Sequence, residues 1–226
     1  TKIEWVRNPD GTQGYTWNPI TGCLNGCEYC YARRLANGWL KQRYLANPNL
    51  PLHALPYSTK REDPFYPRFW EDRLNEDLGI CRGIFVCDMS DLFGLGVPEE
   101  WTRQVFDRIR RSSYRNRYYL LTKQPQNLIK FNSFPDNCWV GVSATNVEQY
   151  KQALVGLAVI KAKVKYISFE PLLEYIPISR SYDFGEDIGW VIIGGQTAPQ
   201  KLPDPLWVNK IIKACDCYNY QACETD

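Results

Sequence analysis

An α/β fold on a parallel sheet is the architecture this sequence predicts, and three observations predict it. Six short apolar runs alternate with amphipathic stretches or long connections along the 226 residues, the pattern of parallel strands joined by right-handed crossovers. Polar or glycine-rich residues close nearly every run, and ligand sites of such sheets lie at those strand ends. The chain is shorter than the ~250 residues of an eight-unit barrel. Six units with one long insertion therefore predict an open or partial barrel, read as a single domain over residues 1–226.

The elements follow in order. Tyr15-Thr16-Trp17-Asn18-Pro19 reads as the end of a first strand, and a loop with three cysteines comes next. A helix is expected from about Ala32, because Ala32, Leu35, Ala36, Trp39 and Leu40 recur at helical spacing. Its other face, with Arg33, Arg34, Lys41 and Arg43, reads as solvated. Residues from about 46 to 78, rich in Pro, Asn, Tyr and Phe, predict an insertion with few regular elements, and long loops in compact domains are often functional. Ile84 to Cys87 is a second strand, leading into Asp88-Met89-Ser90-Asp91. Pro98 opens a helix with Glu99 and Glu100 in its first turn and a buried stripe of Trp101, Val105 and Ile109. Tyr118 to Leu121 is a third strand, followed by a short helix around Leu128. Trp139 to Val142 is a fourth, followed by a helix from Val147 to about Val159. Val164 to Phe169 is a fifth and Trp190 to Ile193 a sixth, before a last helix through Trp207, Ile211 and Ile212.

Composition narrows the function classes. The chain is 44% hydrophobic and 23% charged, which predicts a folded globular protein. The net charge of +2 argues neither for nor against a polyanionic partner. The sequence lacks an apolar run of about 18 residues, so no membrane span is expected, and the first residues do not form a secretory signal. Nine cysteines, three of them within eight residues, fit metal-binding thiolates in a reducing, cytoplasmic compartment better than a disulfide framework. His53 is the single histidine, which weakens every zinc, triad or two-histidine iron mechanism.

The chemistry concentrates in Gly22-Cys23-Leu24-Asn25-Gly26-Cys27-Glu28-Tyr29-Cys30-Tyr31-Ala32, a CxxxCxxC loop. Three close thiolates suit three irons of a cubane cluster and leave the fourth open to a cofactor or substrate. Gly22 and Gly26 relieve crowding where the loop wraps such a cluster. A zinc site is the alternative, but zinc takes four ligands and no second nearby pair is present.

CxxxCxxC with an aromatic before its third cysteine resembles the radical S-adenosylmethionine superfamily. The wider match runs through Trp17 to Cys23, Cys30-Tyr31-Ala32, Phe65-Tyr66-Pro67-Arg68-Phe69, Met89-Ser90-Asp91-Leu92-Phe93, Leu121-Thr122-Lys123, Gly141-Val142-Ser143, Phe169-Glu170-Pro171-Leu172-Leu173 and Gly194-Gly195. In this order the chain resembles the phage Gp37/Gp68 family, a domain of unknown function (DUF5131). The resemblance implies a partial (β/α)6 TIM-like barrel of the radical S-adenosylmethionine type. It implies a [4Fe–4S] cluster on Cys23, Cys27 and Cys30. It also implies reductive cleavage of S-adenosylmethionine to a 5′-deoxyadenosyl radical, with an external electron donor and a substrate the family does not identify.

By the same resemblance Tyr29 lies near the adenine, and Ser90 and Asp91 lie in the segment that binds the cofactor's amino group. A helix cap or turn is the alternative for Asp91. Ser143 and Asn146 fall where relatives contact the ribose or carboxylate, and a turn and N-cap is again the alternative. Close relatives often carry Glu near this turn, where this chain has Ala144 and Thr145. Glu170 ends the fifth strand, a position that favours function; Lys123 is a weaker candidate. Gly194 and Gly195 allow close approach to a ligand, or simply make a turn. They are followed by Gln196-Thr197, where the family usually has Glu-Ser, and an amide cannot serve as a base.

Cys81, Cys87 and Cys138 read as small buried residues. Cys215, Cys217 and Cys223 read as incidental thiols, with a second cluster as the alternative. The family pattern closes on an apolar strand that these residues lack, so the C-terminal end reads as truncated. Arg108, Arg110, Arg111, Arg115 and Arg117 interleave with Tyr114, Tyr118 and Tyr119, which makes nucleic acid a possible substrate; dipole-complementing arginines beside a strand are the simpler reading. The competing functions are an iron–sulfur module docking to a protein partner, and a zinc-stabilised nucleic-acid-binding protein.

Overall fold

The computed structural model describes residues 1–51, 61–178, 184, 188–197 and 199–216, and the backbone of 221–224. Where the sequence reads as one domain, its residues cluster into two compact units, Thr1–Lys2 with Val6–Leu120 and Ile3–Trp5 with Leu121–Asp226.

Unit 1 is built on strands β1 (Tyr15–Trp17), β4 (Gly83–Val86) and β5 (Arg117–Thr122, through Leu120) in that order. They run parallel, with Tyr15 opposite Ile84 and Gly83 opposite Arg117. All four β4 residues are buried, as expected of a strand covered on both faces. Helix α3 (Glu99–Arg110) crosses from β4 to β5 and buries Trp101, Val105 and Ile109, joined by Thr102 and Phe106. Glu99 and Glu100 sit in its first turn and Arg108 and Arg110 in its last, matching the helix dipole.

The insertion is more regular than its composition suggests. Strand β2 (Ile20–Thr21) pairs antiparallel with β3 (Arg68–Phe69), and a 3-10 turn covers Glu71–Asn75. Arg68 is fully buried and donates to the carbonyls of Asn47, Arg61 and Asp63. Its guanidinium ties β3 to two other stretches of chain, at Asn47 and at Arg61–Asp63, where apolar periodicity is absent.

The helix after the cysteines is broken. Helix α1 spans Tyr31–Asn37 and α2 spans Lys41–Leu45. Gly38 ends α1 by donating to the carbonyls of Arg34 and Leu35. Ala32, Ala36, Leu40 and Tyr44 stay buried with Phe65 and Met89. Trp39, counted in the apolar stripe from spacing alone, is turned out and 76% exposed.

Unit 2 carries β6 (Cys138–Ser143), β7 (Val164–Phe169) and β8 (Ile188–Ile193) in sequence order and parallel, with Ser143 opposite Ser168 and Phe169 opposite Ile193. Helix α4 (Val147–Ala158) links β6 to β7. The short helix around Leu128 is a 3-10 helix over Pro125–Phe131. Strands β9 (Gln196–Thr197) and β10 (Gln200–Lys201) form a small antiparallel pair, and helix α5 covers Pro205–Asp216. A further strand, β11 (Gln221–Glu224), pairs parallel with β8. This strand forms on a stretch that lacks the apolar run by which a strand is predicted. Trp5, Tyr166, Trp139 and Trp190 form an aromatic cluster with centroids 5.0–6.2 Å apart.

The six expected strands are thus all present in a mixed α/β fold on parallel strands. Among the described residues, no pairing closes them into a barrel.

Candidate functional site

The cysteine loop of unit 1 leaves β2 at Thr21 and enters α1 at Cys30. Gly22 has φ +87°, a left-handed conformation, and a Cβ there would strike the backbone of Tyr66 and Phe65. Only glycine fits this close approach. Its N–H donates to the Met89 carbonyl at 2.9 Å, and its carbonyl accepts the Ser90 hydroxyl at 2.5 Å. Cys23 N–H donates to the Phe65 carbonyl at 2.9 Å. The loop is therefore stitched to the end of β4 on one side and to the insertion on the other.

The three thiols are all partly exposed. Cys23 Sγ accepts the Asn25 N–H, and Cys30 Sγ accepts the Arg33 N–H as the N-cap of α1, both at 3.4 Å. Burial pushes the Cys23 thiol up to about 12, and the negative charges of Asp91, Cys27 and Cys30 add to the rise. Among the described residues, no group of three or more His, Cys, Asp or Glu is already gathered to hold a metal ion. The donor chemistry nevertheless fits a [4Fe–4S] cluster: three soft thiolates on one loop, two of them already accepting backbone N–H groups, as cluster sulfurs do. A positive ion at the loop would also offset the burial and the neighbouring negative charges that raise Cys23.

Ser90 and Asp91 lie beside this loop. The Ser90 hydroxyl is spent on Gly22. Asp91 is buried and accepts from Asn25 Nδ2 at 3.1 Å and from Phe93 N–H at 3.1 Å, so it serves as a turn residue while also facing the loop. Tyr29 is half-buried between the second and third cysteines.

Several residues here escaped the sequence reading. Asn18 Nδ2 donates to Asp88 Oδ1 at 2.6 Å, while its Oδ1 accepts the Met89 N–H at 3.0 Å. Burial pushes the Asp88 carboxyl above its ordinary value, against the Asn18 hydrogen bond. The Tyr31 hydroxyl, one residue past Cys30, donates to the Asp88 carbonyl at 2.7 Å. Arg33, read as a solvated helix residue, donates to the Cys23 carbonyl at 3.1 Å. The only sequence hint of this network was that Trp17-Asn18-Pro19 and Met89-Ser90-Asp91 flank the cysteines and a strand end.

Ser143, Asn146, Glu170, Gly194 and Gly195 belong to unit 2. Ser143 is buried at the end of β6. Asn146 is the N-cap of α4, its side chain accepting the Gln149 N–H at 2.8 Å, which is the cap alternative drawn from sequence. Glu170 Oε2 accepts the Trp5 indole N–H at 2.8 Å and the Ser168 hydroxyl at 3.2 Å. Burial raises its carboxyl above the ordinary value, opposed first by Trp5, then by Ser168 and the charge of Lys123. Gly194 is explained by Glu170, since a Cβ there would lie 2.6 Å from Oε1. Gly195 packs against the Lys201 carbonyl, and Gln196 Nε2 donates to the Pro199 carbonyl at 3.0 Å.

The other candidates lie as follows. Cys87 and Cys138 are buried, but Cys81 is exposed because it sits in a turn at φ 55° rather than in the following strand. Cys215 is buried; Cys217, His53 and the side chain of Cys223 lie outside the described residues. Arg108 donates to the carbonyls of Leu74 and Glu76, Arg110 pairs with Asp107, Arg111 donates to the Asp107 carbonyl, and Arg117 donates to the Tyr119 hydroxyl. Tyr118 and Tyr119 are buried, leaving Tyr114, with Arg115 over its ring, as the exposed ring. No helix among the described residues is long and apolar enough to cross a membrane.

Comparison with known proteins adds one match. A family model described as a protein of unknown function (DUF5131) covers residues 1–221. No curated protein and no solved structure matches.

Proposed function

The chain belongs to the DUF5131 family, and from that premise we propose that it is a radical S-adenosylmethionine enzyme whose strands form the partial barrel of that superfamily. The observation that carries the reading is the cysteine loop: three partly exposed thiols on one turn, held by their main chain. Cys23, Cys27 and Cys30 would hold a [4Fe–4S] cluster, which supplies an open iron site and an electron for reductive cleavage of S-adenosylmethionine. Gly22, Met89, Ser90 and Phe65 hold the loop against the end of β4 and the insertion. Asp91 places a carboxylate beside Cys23, suited to the cationic amino group of the cofactor. Tyr29 supplies an aromatic face. In unit 2, Ser143, Asn146, Glu170, Gly194 and Gly195 keep the cofactor-binding roles the resemblance assigns, Asn146 doing so in addition to its cap. The electron comes from an external donor, and the substrate is a separate molecule.

Anaerobic reconstitution with iron and sulfide, reduction, and addition of S-adenosylmethionine test the proposal. The expected product is 5′-deoxyadenosine, and Cys27→Ala abolishes both the cluster and the product. A full cluster without cleavage would replace the enzyme with a docking or redox module. Stoichiometric zinc without iron–sulfur absorbance would sink both iron readings.

A further inference from the structure

We infer that Arg33 is a positioning residue that holds the first and third cysteines at a fixed spacing for metal binding, an assignment that rests on the reading of the loop as a metal site. This one residue touches both. Its backbone N–H donates to Cys30 Sγ at 3.4 Å, and its guanidinium Nη2 donates to the Cys23 carbonyl at 3.1 Å.

The guanidinium is itself held on two further sides. Nη1 lies 3.8 Å from Asp63 Oδ2, and the group sits 5.0 Å from the centroid of the Phe65 ring. Both partners belong to the insertion that backs the loop. Asp63 Oδ1 accepts the Phe65 N–H at 2.8 Å, and the Phe65 carbonyl accepts the Cys23 N–H at 2.9 Å. Both main-chain polar groups of Cys23 are thus fixed, the N–H by Phe65 and the carbonyl by Arg33. The path from Cys23 to Cys30 then runs through a single side chain anchored at the start of α1.

A planar fork suits this post and an ammonium does not. Arg33 must reach a carbonyl with one nitrogen, an acid with another, and lay its face on a ring. A lysine keeps the charge and can make one of these contacts. Residues that orient metal ligands without touching the metal commonly set affinity by ten-fold or more. Arg33 also brings a positive charge to a loop of thiolates beside Asp91.

Cobalt(II), added alone to the 226-residue chain under reducing, anaerobic conditions, tests this without the cluster or its chemistry. The readout is the thiolate-to-cobalt absorption band, with Cys27→Ala as the control that removes it. Arg33→Ala is expected to weaken cobalt binding about ten-fold and to shift the band, with Arg33→Lys intermediate. Arg33→Ala binding cobalt within about two-fold of the parent, with an unshifted band, would overturn the inference. If Arg33→Ala also melts at a lower temperature, Arg33→Lys decides. Parent-like melting with weakened cobalt binding supports positioning; parent-like melting with parent-like binding overturns it. A parent chain that binds no cobalt through its thiolates overturns it as well. A parent that binds cobalt and holds a cluster, yet cleaves no S-adenosylmethionine, removes the proposed reaction and leaves the role of Arg33 standing.

Discussion

The cysteine loop of unit 1, which follows β2 and is bonded to the segment after β4, and the Glu170 strand end of unit 2 are both polar sites, and they are held in opposite ways. In the loop, the N–H and carbonyl of Gly22 and of Cys23 carry most of the restraints; Cys23 Sγ and Cys30 Sγ each accept one long backbone hydrogen bond, and all three cysteines stay partly exposed. At Glu170 the restraint falls on the carboxylate itself, through Trp5 and Ser168. A group fixed by its main chain keeps its reactive atom for a ligand. A group fixed by its reactive atom must exchange those bonds to take one, and each exchange costs roughly 1–3 kcal/mol. The loop thiols are therefore less committed to existing bonds than the Glu170 carboxylate.

The largest test of this contrast is Gly22→Ala. A left-handed non-glycine residue plus a clash with the Tyr66 carbonyl should cost about 3 kcal/mol or more. The expected result is a lower midpoint in urea and loss of the proposed cluster; a parent-like midpoint would mean that the main-chain stitching is dispensable.

Gly194→Ala comes next. Its Cβ would displace Glu170 and break the Trp5 hydrogen bond, for about 1–3 kcal/mol. Gly189→Ala, with open space around its Cβ, is the matched control. Equal losses in the two variants would show that the close approach to Glu170 carries no energy.

The smallest effect is one of pH. Glu170 has its folded carboxyl raised by burial, so between the ordinary carboxyl value and the raised one the folded chain binds more protons than the unfolded chain. Its contribution to stability is present at low pH and falls as pH rises through that window, by at most about 1.4 kcal/mol per pH unit. Glu170→Gln should flatten this part of the profile. Asp88, raised in the same direction, remains in both proteins, so the difference between the two curves isolates Glu170. Superimposable curves would contradict the buried, ionisable role.

What could be read in the sequence divides along a physical line. Val164–Phe169 and the helix after Pro98 were legible because burial imposes a period on neighbouring residues. The turns of the cysteine loop were legible in Gly22 and Gly26, which take left-handed backbone that glycine adopts freely. The break at Gly38 was not, since Trp39 continues an apolar period that the backbone abandons. Nor was Arg33, whose partners Asp63 and Phe65 lie across the insertion, or Trp5, which reaches a carboxylate 165 residues away. Such contacts leave no periodic trace. Asn146 shows the converse: a single residue whose local preference for capping decided its visible role.

The bridge between Gly22 and Ser90 has a consequence for how the loop comes apart. The amides of Gly22 and Cys23 are both engaged, one by the residue that closes the turn after β4 and the other by the insertion. Neither can exchange its proton with solvent while those partners stay in place. The loop and the β4 terminus then open as one cooperative segment. Deuterium uptake at these two amides would therefore keep time with the release of any metal the cysteines hold.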